Sequence, residues 1–325
     1  MSAQPLPWQS EQWQRINQQR SASQLAHALL LAGPPGVGKR NFARALGHTL
    51  LCVSPRDGLA CGECKACALL SAQTHPDFVW LAPEESGKAI KIDQIRQVVE
   101  TMAQTAQQGG IKIVVLEPAE AMNRNAANAL LKTLEEPTGS ALLLLVSDAP
   151  GRLLPTIRSR CQRLEFPVPP LAATQAWLAL RGVDAEKLKH ALIEADGRPL
   201  LARALLDGEG FAARQELSAE LAAVLQRQVS AVQMAERWQQ RDWLDLLNWL
   251  QTRIAHALRS QFGRVAMTDA AMAELARAEA PALFALMDTL GGLVNQTQGG
   301  SNPNRQLALE TFLFSACDAV SRKTG

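Results

Sequence analysis

The sequence predicts an α/β domain with a parallel sheet, followed by two all-helical domains. Three observations carry this reading. Short apolar runs alternate with longer helical patterns through the first half, a glycine-rich turn joins the first apolar run to a helical pattern, and no segment after "FPVPP" (166–170) has strand character.

The elements follow in chain order. "HALLLA" (27–32), "KIVVLEPA" (112–119) and "SALLLLVSDAP" (140–150) are apolar runs bounded by turn or polar residues, as strands buried on both faces of a parallel sheet are. Between them lie the helical patterns "RNFARALGHTLLC" (40–52), "IDQIRQVVETMAQTA" (92–106) and "RNAANALLKTLEEP" (124–137), the last closed by Pro137. "FPVPP" is a stiff linker by composition. Beyond it, "WLDLLNWLQTRIAHALR" repeats apolar side chains at Trp243, Leu247, Leu250, Ile254 and Leu258, and "RQLALETFLFSACDAV" (305–320) does similarly; both read as helices of a bundle. A weaker break at "LDGEGF" (206–211) divides this half. The expected domains are 1–167, with an insertion at about 52–67, then 168–207 and 208–325.

Composition sets bounds on function. The chain has 325 residues, 47% hydrophobic and 20% charged, with a formal net charge of +2. That length calls for two or three domains of roughly 100–200 residues each. The near-balanced charge argues against a nucleic-acid-coating surface and gives little support to a stand-alone DNA-binding protein. The sequence has no Arg-rich extension, no signal-peptide pattern at its start and no apolar span near 20 residues, so the cytoplasm is the expected compartment, with no membrane partner. There the six cysteines are expected as thiols or metal ligands.

"LLLAGPPGVGKR" (29–40) carries the first chemistry. Gly33, Pro34, Pro35, Gly36, Val37, Gly38 and Lys39 match a phosphate-binding loop: glycines let successive N–H groups face phosphate oxygens, and the lysine reaches the β- and γ-phosphates. Arg40 departs from it. A Ser or Thr hydroxyl at that position ligates Mg²⁺, whereas a guanidinium is cationic and only donates. A second departure follows the run 112–116, where active relatives of such loops carry one acid for the metal and another for water. Here Glu117 stands at the metal position and Pro118, which accepts no proton, at the base position. Glu120 lies three residues on, displaced for that task. ATP or ADP can therefore be held, and hydrolysis is not expected.

Cys52, Cys61, Cys64 and Cys67 form C-x8-C-x2-C-x2-C. Four thiolates this close suit one structural Zn²⁺, with no open position for chemistry. An iron–sulfur cluster is the alternative, disfavoured by the upstream fourth cysteine and the missing Cys-Pro ending. Cys161 and Cys317 stand alone and read as buried thiols. "LPTIRSRCQR" (154–163) concentrates Arg158, Arg160 and Arg163. Three readings stand side by side: a solvated face, contacts to DNA phosphates, or an arginine placed in trans on a neighbour's γ-phosphate.

Together these pieces resemble the AAA+ clamp-loader subunits of bacterial DNA polymerase III, most closely the delta-prime branch. The likeness rests on the opening tryptophans, the loop, the cysteine insertion, "THPDF", "IDQIRQVVE", "NALLKTLEEP", "SRC" and "NRQLALETFL". It implies a RecA-like α/β module with a zinc insertion, a small helical lid, and a helical collar joining five subunits. It further implies gamma/tau and delta subunits as partners, with the sliding clamp and primed DNA reached through the assembled ring. In that family the arginine of the Ser-Arg-Cys motif reaches ATP on a gamma/tau neighbour, which carries over to Arg160, between Ser159 and Cys161. Ser147 matches the polar sensor position. The sensor arginine of the lid is absent: Leu200 takes its place, with Arg198 and Arg203 out of register. The rival reading is an ATP-hydrolysing, gamma/tau-like motor subunit. Lys39 and the intact glycines favour it; Arg40, Pro118 and Leu200 oppose it.

Overall fold

The three predicted strands form the middle of a five-stranded, all-parallel sheet in a computed structural model. It describes residues 4–321 apart from 86, 109, 138, 181, 183, 209, 264–268 and 299–300. The strands are β1 (Ala28–Ala32), β2 (Phe78–Leu81), β3 (Lys112–Leu116), β4 (Ala141–Ser147) and β5 (Gln162–Glu165), in the order β2-β3-β4-β1-β5. Sequence reading recovers β1, β3 and β4 and misses both edges. The reason is physical: β5, "QRLE", alternates exposed and buried residues with no apolar run, and β2, "FVWL", is four residues long and only partly buried.

The sheet is covered on both faces, and strand periodicity decides what goes where. Leu29, Leu31, Ile113, Val115, Leu142, Leu144 and Val146 pack with Trp13, Ile16, Phe42 and Leu46. Those partners belong to α1 (Ser10–Ser21) and α2 (Lys39–Leu51). The alternate residues Leu30, Val114, Leu116, Leu143 and Leu145 pack with Ile95, Val98, Leu130 and Leu134. These come from α4 (Ile92–Ala103) and α5 (Arg124–Glu135); α3 (Lys65–Ser71) lies between them in sequence. Neighbouring side chains of a strand point to opposite faces, so the uninterrupted apolar runs are what a two-sided sheet requires. Asn123 starts α5 by accepting a hydrogen bond from the Ala126 N–H at 2.8 Å.

The described residues group into two compact units: 1–183 with 197–201, and 184–196 with 202–325. Segment 168–207, expected as a lid, is thus divided between them. The first unit adds α6 (Pro155–Arg158) and α7 (Leu171–Ala179). The second is helical throughout its described residues, from α8 (Ala185–Glu194) through α9 (Pro199–Asp207, whose first residues belong to the other unit), α10 (Gly210–Leu225), α11 (Ala231–Trp238), α12 (Trp243–Gln261), α13 (Ala270–Leu275) and α14 (Ala280–Gln298) to α15 (Arg305–Ser321). The predicted stripe on α12 is buried at all five positions. Burying each such Leu or Ile contributes about 1.5–3 kcal/mol, which outweighs any local propensity. Arg253, also on α12, is fully buried and survives there by bonding Glu194 at 2.8 Å and Asp269 at 2.7 Å.

Candidate functional site

Register fixes where the site lies. Ala32 at the end of β1 pairs with Ser147 at the end of β4, and Leu116 at the end of β3 pairs with Leu145. Gly33, Glu117 and Asp148 therefore leave the sheet together at its carboxyl edge, where open α/β sheets bind ligands.

Within the loop, Gly36 and Gly38 hold φ values of +82° and +92°, left-handed geometry that resists a side chain. A Cβ on Gly38 would also meet Leu6 Cδ1 at 2.4 Å. The loop carbonyls are engaged from outside. Trp8 Nε1 donates to Val37 O at 2.9 Å, Gln9 Nε2 to Gly38 O at 2.9 Å, and the Leu200 N–H to Gly36 O at 2.9 Å. The N–H groups of Gly36, Val37 and Gly38 carry no hydrogen bond among the described residues. Free N–H groups next to the start of α2 fit the oxygens of a polyphosphate. Lys39 is 4% exposed, and its ammonium donates to Gly33 O (2.6 Å), Pro34 O (2.7 Å) and Asp148 Oδ1 (2.6 Å). All three donors are used, so an incoming phosphate competes with the half-exposed Asp148 carboxylate.

The metal corner is closed by the chain itself. Arg40 Nε donates to Glu117 Oε2 at 2.6 Å, and its guanidinium lies 5.6 Å from the Trp80 ring centroid. Burial pushes the Glu117 carboxyl up, while the Arg40 hydrogen bond opposes that shift. A donor-only cation therefore occupies one carboxylate oxygen of Glu117 at this corner and, unlike a hydroxyl, offers a metal ion no ligand atom of its own. Glu120 is turned to the backbone at the exit of β4: its Oε1 accepts from the N–H groups of Asp148 (2.9 Å) and Ala149 (3.1 Å). Ser147 is fully buried and its Oγ has no partner among the described residues, an arrangement that a ligand oxygen or water would relieve. Arg198, out of register by sequence, comes against the loop: a Cβ built on Gly36 would lie 3.4 Å from the Arg198 Cβ.

The four cysteines of the insertion converge. Their sulfurs all lie within 4.8 Å of one another, with Cys52–Cys61 at 3.5 Å, Cys52–Cys64 at 3.9 Å and Cys61–Cys67 at 4.0 Å. A tetrahedron with metal–sulfur bonds of about 2.3 Å has edges of about 3.8 Å, so the donor set fits one metal ion. Cys64 precedes α3, and Cys67 is fully buried within its first turn. Without a cation, burial pushes the Cys67 thiol up to about 12. A divalent ion at the centre reverses that balance by stabilising thiolate. Cys161 and Cys317 are buried apart from this cluster.

Arg160 lies just after α6, its side chain 35% exposed. It pairs with Glu135 Oε1 at 2.5 Å and donates to Thr156 O at 3.0 Å. Arg163 pairs instead with Glu165, its neighbour on β5. Sequence reading gives no site role to Asp148, Trp8, Gln9 or Glu135, because each acts through a partner at least 25 positions away, and spacing does not reveal such pairs.

These features define a phosphate-loop α/β module of the AAA+ class whose metal corner is filled by its own arginine. Residues 8–170 match the family described as "DNA polymerase III, delta subunit", and residues 209–316 match "DNA polymerase III, delta subunit, C terminal". DNA polymerase III subunit delta' of Pseudomonas aeruginosa is 49% identical over 235 residues, 71% of this chain and 70% of that protein. The subunit of the same name from Escherichia coli K12 is 33% identical over 326 residues, 95% and 94% of the two chains. That of Yersinia pestis is 33% identical over 330 residues, covering 98% and 97%. The chain belongs to the delta-prime family of DNA polymerase III subunits.

Proposed function

We propose that this chain is a non-hydrolysing subunit of the DNA polymerase III clamp loader, acting in the cytoplasm. It serves as a fixed partner beside gamma/tau and delta subunits. It lends Arg160 to the ATP site of a gamma/tau neighbour, and the assembled complex places the sliding clamp on primed DNA. One observation carries the non-hydrolysing part: the Arg40–Glu117 ion pair stands where a nucleotide-bound metal would need oxygen ligands. Pro118 and the engagement of Glu120 by backbone N–H groups remove the candidates for activating water. Lys39 and the free loop N–H groups still suit ATP or ADP without the metal. Because Arg160 is partly exposed and held by a carboxylate that is itself half exposed, it can exchange that partner for a phosphate on another subunit. Zn²⁺ is the ion assigned to Cys52, Cys61, Cys64 and Cys67, stapling the insertion of the α/β domain. Residues 168–207 are assigned as lid and 208–325 as collar, with the buried core of the helical unit giving the collar its rigidity.

The test uses the isolated chain. Nucleotide titrated with and without Mg²⁺ should bind with the same affinity and release no phosphate. Magnesium-dependent hydrolysis that disappears in Lys39→Ala would instead establish the motor reading.

A further inference from the structure

Helix α2 carries a second basic feature beyond the loop. Arg40, Arg44 and His48 recur every four residues and therefore share one face. That face lines a cleft of about 340 Å³ whose other walls include Asn41, Ser71 and Gln73. Among the described residues, no acidic side chain lines it. Arg40 has Glu117 as its counter-ion, but Arg44 has no carboxylate within ion-pair distance among the described residues. Like charges at this helical spacing repel, so an unneutralised arginine beside another is unfavourable unless an anion joins them. Both guanidinium groups are fixed against one ring, at 5.6 Å and 5.4 Å from the Trp80 centroid, which restricts their motion before any ligand arrives. His48 supplies a separate pointer. It is 3% exposed, lines the cleft, and its Nδ1 has no hydrogen-bond partner among the described residues. A buried polar nitrogen left unpaired costs free energy. Burial and then Arg44 lower the His48 pKa to about 4, so the imidazole is neutral near pH 7 and offers a hydrogen bond without charge.

We propose that the cleft along α2, between Arg44, His48 and Gln73, is a binding site for a phosphate group, separate from the nucleotide loop. The Arg44 fork, beside the neutral hydrogen-bonding groups of Asn41, His48 and Gln73, suits a tetrahedral anion with several oxygens. The phosphate can belong to a nucleic-acid strand or to a small phosphorylated compound, and the two sources are told apart by probe.

The experiment uses the full chain as wild type, Arg44→Ala and Lys39→Ala. Inorganic phosphate is titrated calorimetrically, and a fluorescent single-stranded oligonucleotide is titrated by anisotropy. Arg44 is exposed and, among the described residues, its one ring contact is to Trp80, so the variant is expected to keep the wild-type circular dichroism spectrum. Arg44→Ala is expected to weaken binding about tenfold, while Lys39→Ala leaves this cleft's affinity unchanged. If a strand is the source, the oligonucleotide binds, phosphate competes with it, and the salt slope falls by about 0.7 in Arg44→Ala. Phosphate binding without oligonucleotide binding supports the site and assigns it to a small compound. No binding of either probe, equal affinity in Arg44→Ala, loss in Lys39→Ala alone, or equal binding of a poly-glutamate peptide would each overturn the proposal. Because the nucleotide loop is tested by Lys39→Ala and the cleft by Arg44→Ala, failure of one reading leaves the other standing.

Discussion

Replacing Arg160 with alanine is the sharpest probe of the proposed role. In the isolated chain Arg160 holds Glu135 at 2.5 Å and Thr156 O at 3.0 Å, with the two charged side chains 35% and 49% exposed. An ion pair this open contributes about 0–1 kcal/mol, and the carbonyl bond about 1 kcal/mol. Swinging the guanidinium away therefore costs about 1–2 kcal/mol. An arginine supplied in trans to a transferring phosphoryl group accelerates hydrolysis by about 10³–10⁵-fold in the GTPases where it is best known, or about 4–7 kcal/mol. The gain exceeds the cost by several kcal/mol, so the local contacts do not trap the side chain. In a reconstituted complex where only the adjacent ATP site is left competent, Arg160→Ala should lower DNA-stimulated hydrolysis by at least about 10²-fold. Assembly measured by gel filtration should be unchanged, and the isolated chain should lose no more than about 2 kcal/mol of stability. Glu135→Gln frees the same guanidinium and should leave the rate within about fivefold of wild type or raise it. An unchanged rate in Arg160→Ala, in complexes of normal composition, would refute the reasoning.

Other perturbations test other parts. Elemental analysis should find one zinc per chain, absent from Cys64→Ser, with faster proteolysis between residues 52 and 71; iron with visible absorption would mean the cluster was misassigned. Arg40→Thr restores a hydroxyl at the metal corner and should make nucleotide affinity rise at least tenfold with Mg²⁺, still without turnover because Pro118 remains. Turnover in that variant would show that the base is not missing. In the helical unit, a hydrogen bond from His256, joined by Arg259, holds the Asp196 carboxyl well below its ordinary value of 3.8 against burial. An acid depressed in the folded state contributes stability above its unfolded pKa and loses it as pH falls below that value. With Asp196 38% exposed, solvent screening keeps the contribution near about 1 kcal/mol. Asp196→Asn should therefore be less stable than wild type at pH 7, with the difference closing below about pH 4; a constant difference in denaturant midpoints down to pH 2 would contradict the linkage. Finally, Gly38→Ala forces a Cβ to 2.4 Å from Leu6 at φ +92° and should destabilise by about 1–3 kcal/mol while weakening nucleotide binding. Wild-type melting and affinity in that variant would mean the Leu6 side chain yields freely.

Local patterns and tertiary geometry contribute different things here. Chemistry that sits in consecutive or regularly spaced residues is legible in the chain: the glycines and lysine of the loop, the two CxxC steps, the apolar runs of the central strands and the α12 stripe each express a rule about neighbours in sequence. The losses at Arg40 and Pro118 are legible for the same reason, since side-chain type alone decides whether a residue ligates a metal or accepts a proton. Pairings between distant residues are not. Only folding brings Arg40 to Glu117, Lys39 to Asp148, Glu120 to the exit of β4 and Arg160 to Glu135, because strand order and register, rather than spacing along the chain, set which residues meet at the carboxyl edge of the sheet. The edge strands β2 and β5 escape sequence reading for different reasons: β2 is an apolar run of only four residues, and β5, half exposed, has no apolar run at all. The sequence by itself determined which reactive groups this protein has and lacks. The tertiary structure decided what each one touches, because hydrogen bonds and ion pairs act over a few ångströms, a range in which closeness along the chain counts for little once the sheet has formed.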